Sequence, residues 1–186
     1  NSKKPGATQQ AIFEGFTIKK GDILITDATS LYGLTGHAAI ATTDNYILDA
    51  PGYKIQTSRG MKKTTRQSKV KDWLNQYNNT RGGTVWVYRV SSKYSWVANA
   101  AADWADRHYY SSTGSATQNI FPSYGINLYT KDTDPTYCSK IVYQAYYYGS
   151  SNLPFMVPVA ASIIGPYGLI DHFEPKYQPK LVKVYR

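Results

Sequence analysis

The chain has 186 residues, 42% of them hydrophobic and 15% aromatic with 18 tyrosines; that is too apolar for a disordered polymer and suits one globular domain spanning 1–186. Lys and Arg number 21 against 12 Asp and Glu, a formal charge of +9 that favours anionic surroundings such as nucleic acid, anionic lipid or anionic cell-wall polymer. No run reaches the roughly 18 apolar residues of a membrane span, since Pro154, Pro158 and Pro166 break the longest one, and a single cysteine excludes an internal disulfide and any multi-cysteine zinc site.

The chain starts without Met on Asn1-Ser2-Lys3-Lys4-Pro5-Gly6, which reads as a mature or trimmed sequence in which no targeting segment is seen; an extracellular or cell-envelope location is expected. Gly21-Asp22 opens the apolar run Ile23-Leu24-Ile25, a buried strand, followed by a Gly- and Thr-containing loop through Gly36. His37-Ala38-Ala39-Ile40-Ala41 and Tyr46-Ile47-Leu48-Asp49-Ala50 flank the turn-forming cluster Thr42-Thr43-Asp44-Asn45, the pattern of a β-hairpin ended by Pro51-Gly52. Tyr53 to Thr57 reads as a further strand. The basic stretch Arg59 to Lys71 lacks apolar periodicity and reads as a solvated loop, until Val70, Trp73, Leu74 and Tyr77 indicate a short helix.

Thr84 to Val90 is the next strand. Ser92 can cap a helix running to about His108, whose apolar stripe, Trp96, Val97, Ala100, Ala101, Trp104 and Ala105, is assigned to the core. Residues 111 to 135 form a long polar loop of the kind that often serves as a lid or binding loop. A second helix is expected to start at Asp134-Pro135, with Asp134 as N-cap, to carry the stripe Cys138, Ile141, Val142, Ala145 and Tyr146, and to stop at Gly149. Leu181-Val182-Lys183-Val184-Tyr185 alternates like a closing strand.

Cysteine is a nucleophile only as thiolate, and the first turn of a helix stabilises that form through free N–H groups and the positive end of the dipole. Cys138 falls in such a turn, although a lone cysteine can equally be a buried structural residue. A partner base must be held in one tautomer by a third polar group. His37 has a candidate in Asp49, twelve residues on. A hairpin loop of three residues (42 to 44) or five (41 to 45) would place the two directly opposite on one face; an even, unbulged loop would turn Asp49 away. His172 would place the histidine after the cysteine, but Asp171-His172-Phe173-Glu174-Pro175 reads as a loop. His108 suits a helix C-terminus and is read as structural. No spacing of His and Cys suggests a metal site, and no cofactor is implied.

These residues carry a resemblance. Gly21-Asp22-Ile23-Leu24, Thr35-Gly36-His37-Ala38-Ala39-Ile40, Ile47-Leu48-Asp49-Ala50 and Tyr137-Cys138-Ser139-Lys140-Ile141-Val142 stand in the order of the circularly permuted papain-like cysteine hydrolases of the YiiX type, relatives of the NlpC cell-wall hydrolases. The match covers about residues 20 to 150. It implies Cys138 as nucleophile, His37 as base and Asp49 as orienting acid, in an α+β fold whose antiparallel sheet packs on the nucleophile helix. Lys140 departs from the resemblance, standing where many relatives are acidic, as does Asp49, where Glu is commoner.

By resemblance the expected activity is cysteine peptidase or amidase chemistry on peptidoglycan stem peptides or a related envelope conjugate, with an anionic cell-wall polymer or peptide as partner. A lipid acyl hydrolase or acyltransferase using the same Cys-His pair is the alternative, and it predicts an apolar groove. A non-catalytic wall-binding module gripping ligands with loops such as Phe121-Pro122-Ser123-Tyr124 also fits. Nucleic acid is disfavoured, because Arg59 to Lys71 lacks interleaved aromatics.

Overall fold

Short apolar runs rich in β-branched residues, punctuated by Gly, Asp and Asn, pair into antiparallel strands, while Ala- and Tyr-rich stretches of longer period form helices. The computed structural model describes residues 12–13, 15–28, 34–53, 55–56 and 62–186. Its strands are β1 (Ile12–Phe13), β2 (Phe16–Thr17), β3 (Ile23–Thr26), β4 (His37–Ala41), β5 (Tyr46–Asp49), β6 (Ile55–Gln56), β7 (Lys62–Lys63), β8 (Arg66–Lys69), β9 (Val85–Arg89) and β10 (Lys180–Tyr185). The helices are α1 (Val70–Leu74), continued by a π-helical turn over Asn75–Thr80, α2 (Ser95–Tyr109) and α3 (Cys138–Gly149). Among the described residues a six-stranded antiparallel sheet runs in the order β10-β9-β3-β4-β5-β8, giving an α+β fold.

The sheet is covered on both faces, which is why β3 and β4 are buried along their whole length. Alternation divides their side chains. Ile23, Ile25, Ala38, Ile40 and Leu48 pack against α2 and α3, while Leu24, Ala39, Ala41, Ile47, Val85 and Val87 pack against Val70, Trp73, Leu74 and Tyr77. Helices α2 and α3 approach closely at Gly149, where a Cβ would lie 2.6 Å from the Ala101 backbone nitrogen. No helix among the described residues is long and apolar enough to cross a membrane.

Several expectations change. The buried face of α2 is Val97, Ala98, Ala101, Ala102, Ala105 and Tyr109, so the stripe is rotated from the expected one. Small residues face α3, while Trp96 is 49% exposed and the half-buried Trp104 stacks on His108 (4.0 Å) and Tyr148 (5.1 Å). Helix α3 begins at Cys138 with Tyr137 as an extended N-cap. Asp134 caps nothing; its Oδ1 accepts from the Ser123 N–H (3.0 Å) and ties the preceding loop to itself. The basic stretch is not a free loop throughout, because Arg66 to Lys69 form β8. Parts of the loop before Gly36, of the Tyr53–Thr57 strand and of the basic stretch lie outside the described residues, as do Asn1 to Gly6.

Candidate active site

His37 opens β4 and Asp49 ends β5. Their strands pair Ile40 with Leu48 and Ala41 with Ile47, and the Thr42 N–H donates to the Tyr46 carbonyl (2.9 Å), leaving the three-residue loop 43–45. An odd loop keeps both side chains on one face. It is displaced by one position from the expected 42–44, so Asp49 stands opposite Ala39 and diagonal to His37. Diagonal neighbours remain within reach of each other, and His37 Nε2 lies 2.8 Å from Asp49 Oδ2.

The carboxylate is held from three sides. Arg66, directly across from Asp49 in β8, donates through Nε to Oδ1 (2.8 Å) and through a terminal nitrogen to Oδ2 (3.3 Å), and Trp73 Nε1 donates to Oδ2 (2.9 Å). Arg66 is itself anchored by the hydroxyls of Tyr53 (3.1 Å) and Tyr77 (3.2 Å). Burial alone would raise the Asp49 pKa, but the Arg66 charge and the His37 hydrogen bond outweigh it and hold the carboxyl well below the usual range. The imidazole lies against Trp73 and Tyr77, with ring centroids 6.2 and 5.2 Å away.

Cys138 arrives from the other side of the sheet. It is the first residue of α3, packed on the face opposite the one from which His37 projects, and the two meet where β4 begins. Its sulfur hydrogen-bonds His37 and the Ala38 backbone N–H and lies 3.9 Å from the Ser139 hydroxyl. With Nε2 committed to Asp49, Nδ1 is the ring nitrogen left for the sulfur. Burial opposes charge on both partners, since Cys138 is only 3% exposed and His37 is as well covered. Their mutual hydrogen bond and charge, with Asp49 behind, outweigh it: the thiol is lowered from its ordinary value and the imidazole is raised to about 9. The arrangement favours a thiolate–imidazolium pair.

Gly36 precedes His37 with φ +81°, a left-handed conformation, and a Cβ there would lie 2.8 Å from the Tyr167 ring. Leu34, Tyr137 and Cys138 form an apolar cluster with Tyr124 and Ile126. Ile164 is pinned by the two residues that flank Cys138, its N–H donating to the Tyr137 hydroxyl (3.0 Å) and its carbonyl accepting from Ser139.

Lys140, two residues past Cys138, is fully buried. It donates to Asn127 Oδ1 (3.1 Å), to the Pro135 carbonyl (2.9 Å) and to Asp132, holding the loop ahead of α3 from within. His172 is absent from this cluster; its Nδ1 lies 2.8 Å from the Gly168 carbonyl and its ring sits edge-on to Tyr143. His108 bonds the Trp104 carbonyl (2.8 Å) within its own helix.

Arg66, Trp73 and Tyr77 were not anticipated as site residues. The available signal was physical: a carboxylate buried beside a histidine requires further donors, and Arg66 stood in a stretch read as solvated.

From residue 4 to residue 185 the sequence matches the family described as lipoprotein N-acylation protein LnsA-like. The chain belongs to this LnsA-like family. An uncharacterised 30.3 kDa protein of Bacillus thuringiensis is 45% identical over 178 residues, which cover 96% of this chain; the chain spans 62% of that relative's length. No solved structure matches. Membership redirects the functional expectation. The resemblance to permuted NlpC-type hydrolases pointed to peptidoglycan stem peptides, whereas the family description points to lipoprotein acylation, the chemistry of the acyl-transfer alternative.

Proposed function

We propose that the protein transfers an acyl group through a thioester on Cys138 in the N-acylation of lipoproteins at the cell envelope, with His37 as base and acid and Asp49 as the orienting group. The observation that carries the reading is the Cys138–His37–Asp49 array, in which the imidazole is hydrogen-bonded to both partners and charged up to about pH 9. Membership of a lipoprotein N-acylation family supplies the acyl chemistry, and the apolar cluster of Leu34, Tyr124 and Ile126 beside the sulfur suits an acyl donor.

The thiolate attacks the carbonyl of an ester-linked lipid; a C–S bond forms, the C–O bond breaks, and the departing alcohol takes the His37 proton. A lipoprotein amine then attacks the thioester. Its surplus proton passes to His37, an amide C–N bond forms and the thiolate returns. The Cys138 backbone N–H, at the start of α3, is the candidate oxyanion donor. Amide hydrolysis of stem peptides would use the same three side chains with water as second nucleophile, and the +9 charge is what favours it.

Incubation with an ester-linked lipid should give Cys138 an acyl mass increment that hydroxylamine removes and that an amine-terminated lipopeptide discharges into an amide. New amines or carboxyls from purified peptidoglycan, with Cys138 unmodified by lipid, would move the assignment to the amidase.

A further inference from the structure

Residues 126–131 and 157–164 leave the nucleophile side by side along α3. At the Cys138 end stand Ile126 and Ile164. Farther on, the Ser162 N–H donates to the Leu128 carbonyl (3.1 Å), and beyond that the Thr130 hydroxyl donates to the Val159 carbonyl (2.9 Å). From within the helix Lys140 holds Asn127, and Gln144 Nε2 donates to the carbonyls of Thr130 (2.9 Å) and Asp132 (2.6 Å). The two segments therefore form a fixed strip. Exposed Leu128, Tyr129 and Ile163 lie along it, and at its far end it opens into a cleft of about 440 Å³ lined by Tyr129, Thr130, Tyr143, Tyr147, Val159 and Ala160.

The lining suits hydrocarbon. Tyr143 donates its hydroxyl to the Val157 carbonyl (2.8 Å) and Thr130 directs its own to Val159, so these polar atoms face protein backbone. Lys131, exposed at the edge, can lay its methylene stem on the cleft and keep its ammonium in water. Tyr143 and Tyr147 follow Cys138 by five and nine positions, a rise of about 7 to 14 Å and a turn of about 140° to 180° about the helix axis, so the paired segments carry the path from the sulfur round α3 to the cleft. The volume lies within the usual range of ligand pockets.

We propose that this strip and cleft seat the acyl chain of the donor, with its carbonyl at Cys138 and its tail among Tyr143, Tyr147 and Val159. The proposal rests on the acyl-thioester reading for the carbonyl end alone. Each methylene reaching the cleft then strengthens binding roughly three- to fourfold, so the protein discriminates by chain length.

Two variants test it, Ala160→Trp, which fills the cleft, and Tyr129→Glu, which places a carboxylate at its exposed mouth without disturbing the core. Lauroyl and butyryl p-nitrophenyl esters are compared by the rate of Cys138 acylation, read as intact mass. The fluorescent fatty acid cis-parinaric acid is titrated separately into Cys138→Ala protein with and without each cleft variant. Lauroyl acylation should fall about tenfold or more in either variant while butyryl acylation stays within about twofold, and parinaric acid binding should be lost. Equal effects on both esters, no effect on either, or unchanged parinaric acid binding in both variants would overturn the proposal. If the parent protein proves dimeric in solution and the variants make it monomeric with both chain readouts intact, that too would overturn the proposal, assigning the cleft to a second copy. If neither ester acylates Cys138 yet parinaric acid binds and the variants abolish that binding, the thioester reading fails and the acyl-chain site stands.

Discussion

Asp49, bonded to His37, and Lys140, two residues past Cys138, are both buried charges, and the fold treats them in opposite ways. Asp49 lies on a strand and receives hydrogen bonds from His37, Arg66 and Trp73, all held by the sheet or the helix packed on it. Lys140 lies on α3 and donates to Asn127, Asp132 and Pro135, which belong to the long loop ahead of the helix. Their ionic partners differ as well. The Arg66 side chain is 15% exposed, whereas that of Asp132 is 41% exposed and can be hydrated if its partner is removed. One charge fixes the His37 ring in a closed network; the other fixes a loop whose far side is open to water. A buried charge organises chemistry when its whole shell is rigid, and organises a segment when half its shell is a loop.

The largest effect should come from the Cys138–His37 pair that Asp49 orients. Cys138→Ala and His37→Ala are each expected to reduce acyl transfer by on the order of 10⁴, with no acyl mass increment on the Cys138→Ala protein. His172→Ala, which removes a ring bonded to the Gly168 carbonyl and edge-on to Tyr143, should leave turnover within about twofold. A reversed ranking of the histidines would dissolve the comparison by moving the base elsewhere.

Asp49→Asn follows, at roughly 10²- to 10⁴-fold in turnover. Asparagine keeps an oxygen for Trp73 but loses the charge that favours imidazolium and opposes Arg66, so melting or denaturant titration should also show a stability loss of about 3 to 5 kcal/mol. Turnover lost with stability unchanged would mean that Arg66 finds water instead of depending on Asp49.

The pH profile sharpens the same point. The His37 pKa, about 9 in the folded protein, lies above the 6.5 of the free side chain. Its contribution to stability is therefore complete below 6.5 and lost as pH rises through about 9. On the alkaline side the imidazolium that protonates the leaving alcohol disappears, so kcat/KM should fall about tenfold per pH unit above pH 9. Asp49→Asn should move that limb to lower pH. A limb that stays in place would show that Cys138, not Asp49, sustains the high value.

How much of this was legible in the sequence follows from locality. The β4–β5 hairpin, the shared face of His37 and Asp49, and Cys138 in a helix first turn all depend on short-range signals: an odd turn, a period of two, a glycine at φ +81°. The α+β class follows from strands and helices of distinct period. The register fell two positions from directly opposite, because the turn residues allowed the loop to start at 42 or at 43. Arg66 was missed because its partner lies across a strand pair made at long range. Trp96 reads as core from its bulk and its place in the stripe, whereas the contact with α3 at Gly149 admits only small residues and leaves it exposed. The Cys-His-Asp set is shared by amide and ester chemistry, so the sequence alone carries both the stem-peptide reading and the acyl-transfer alternative that the family description favours, and the apolar strip is assembled from segments thirty residues apart.

The smallest effect should come from Lys140→Met. If every buried ion pair were equivalent, losing this cation would cost as much as losing the charge at Asp49, about 3 to 5 kcal/mol for a stranded partner. Asp132 is not stranded, however, and the half-buried Asn127 and Pro135 can reach water. Methionine also fills most of the vacated space without a charge to desolvate. The global cost should therefore be about 1 to 2 kcal/mol, with iodoacetamide labelling of Cys138 at neutral pH nearly unchanged. What changes is local: hydrogen exchange in residues 127–135 should accelerate, while the strands carrying His37 and Asp49 keep their protection. Slower exchange there, or a loss of stability matching that of Asp49→Asn, would show that the loop is as rigid as the sheet and that the contrast between the two charges is one of position alone.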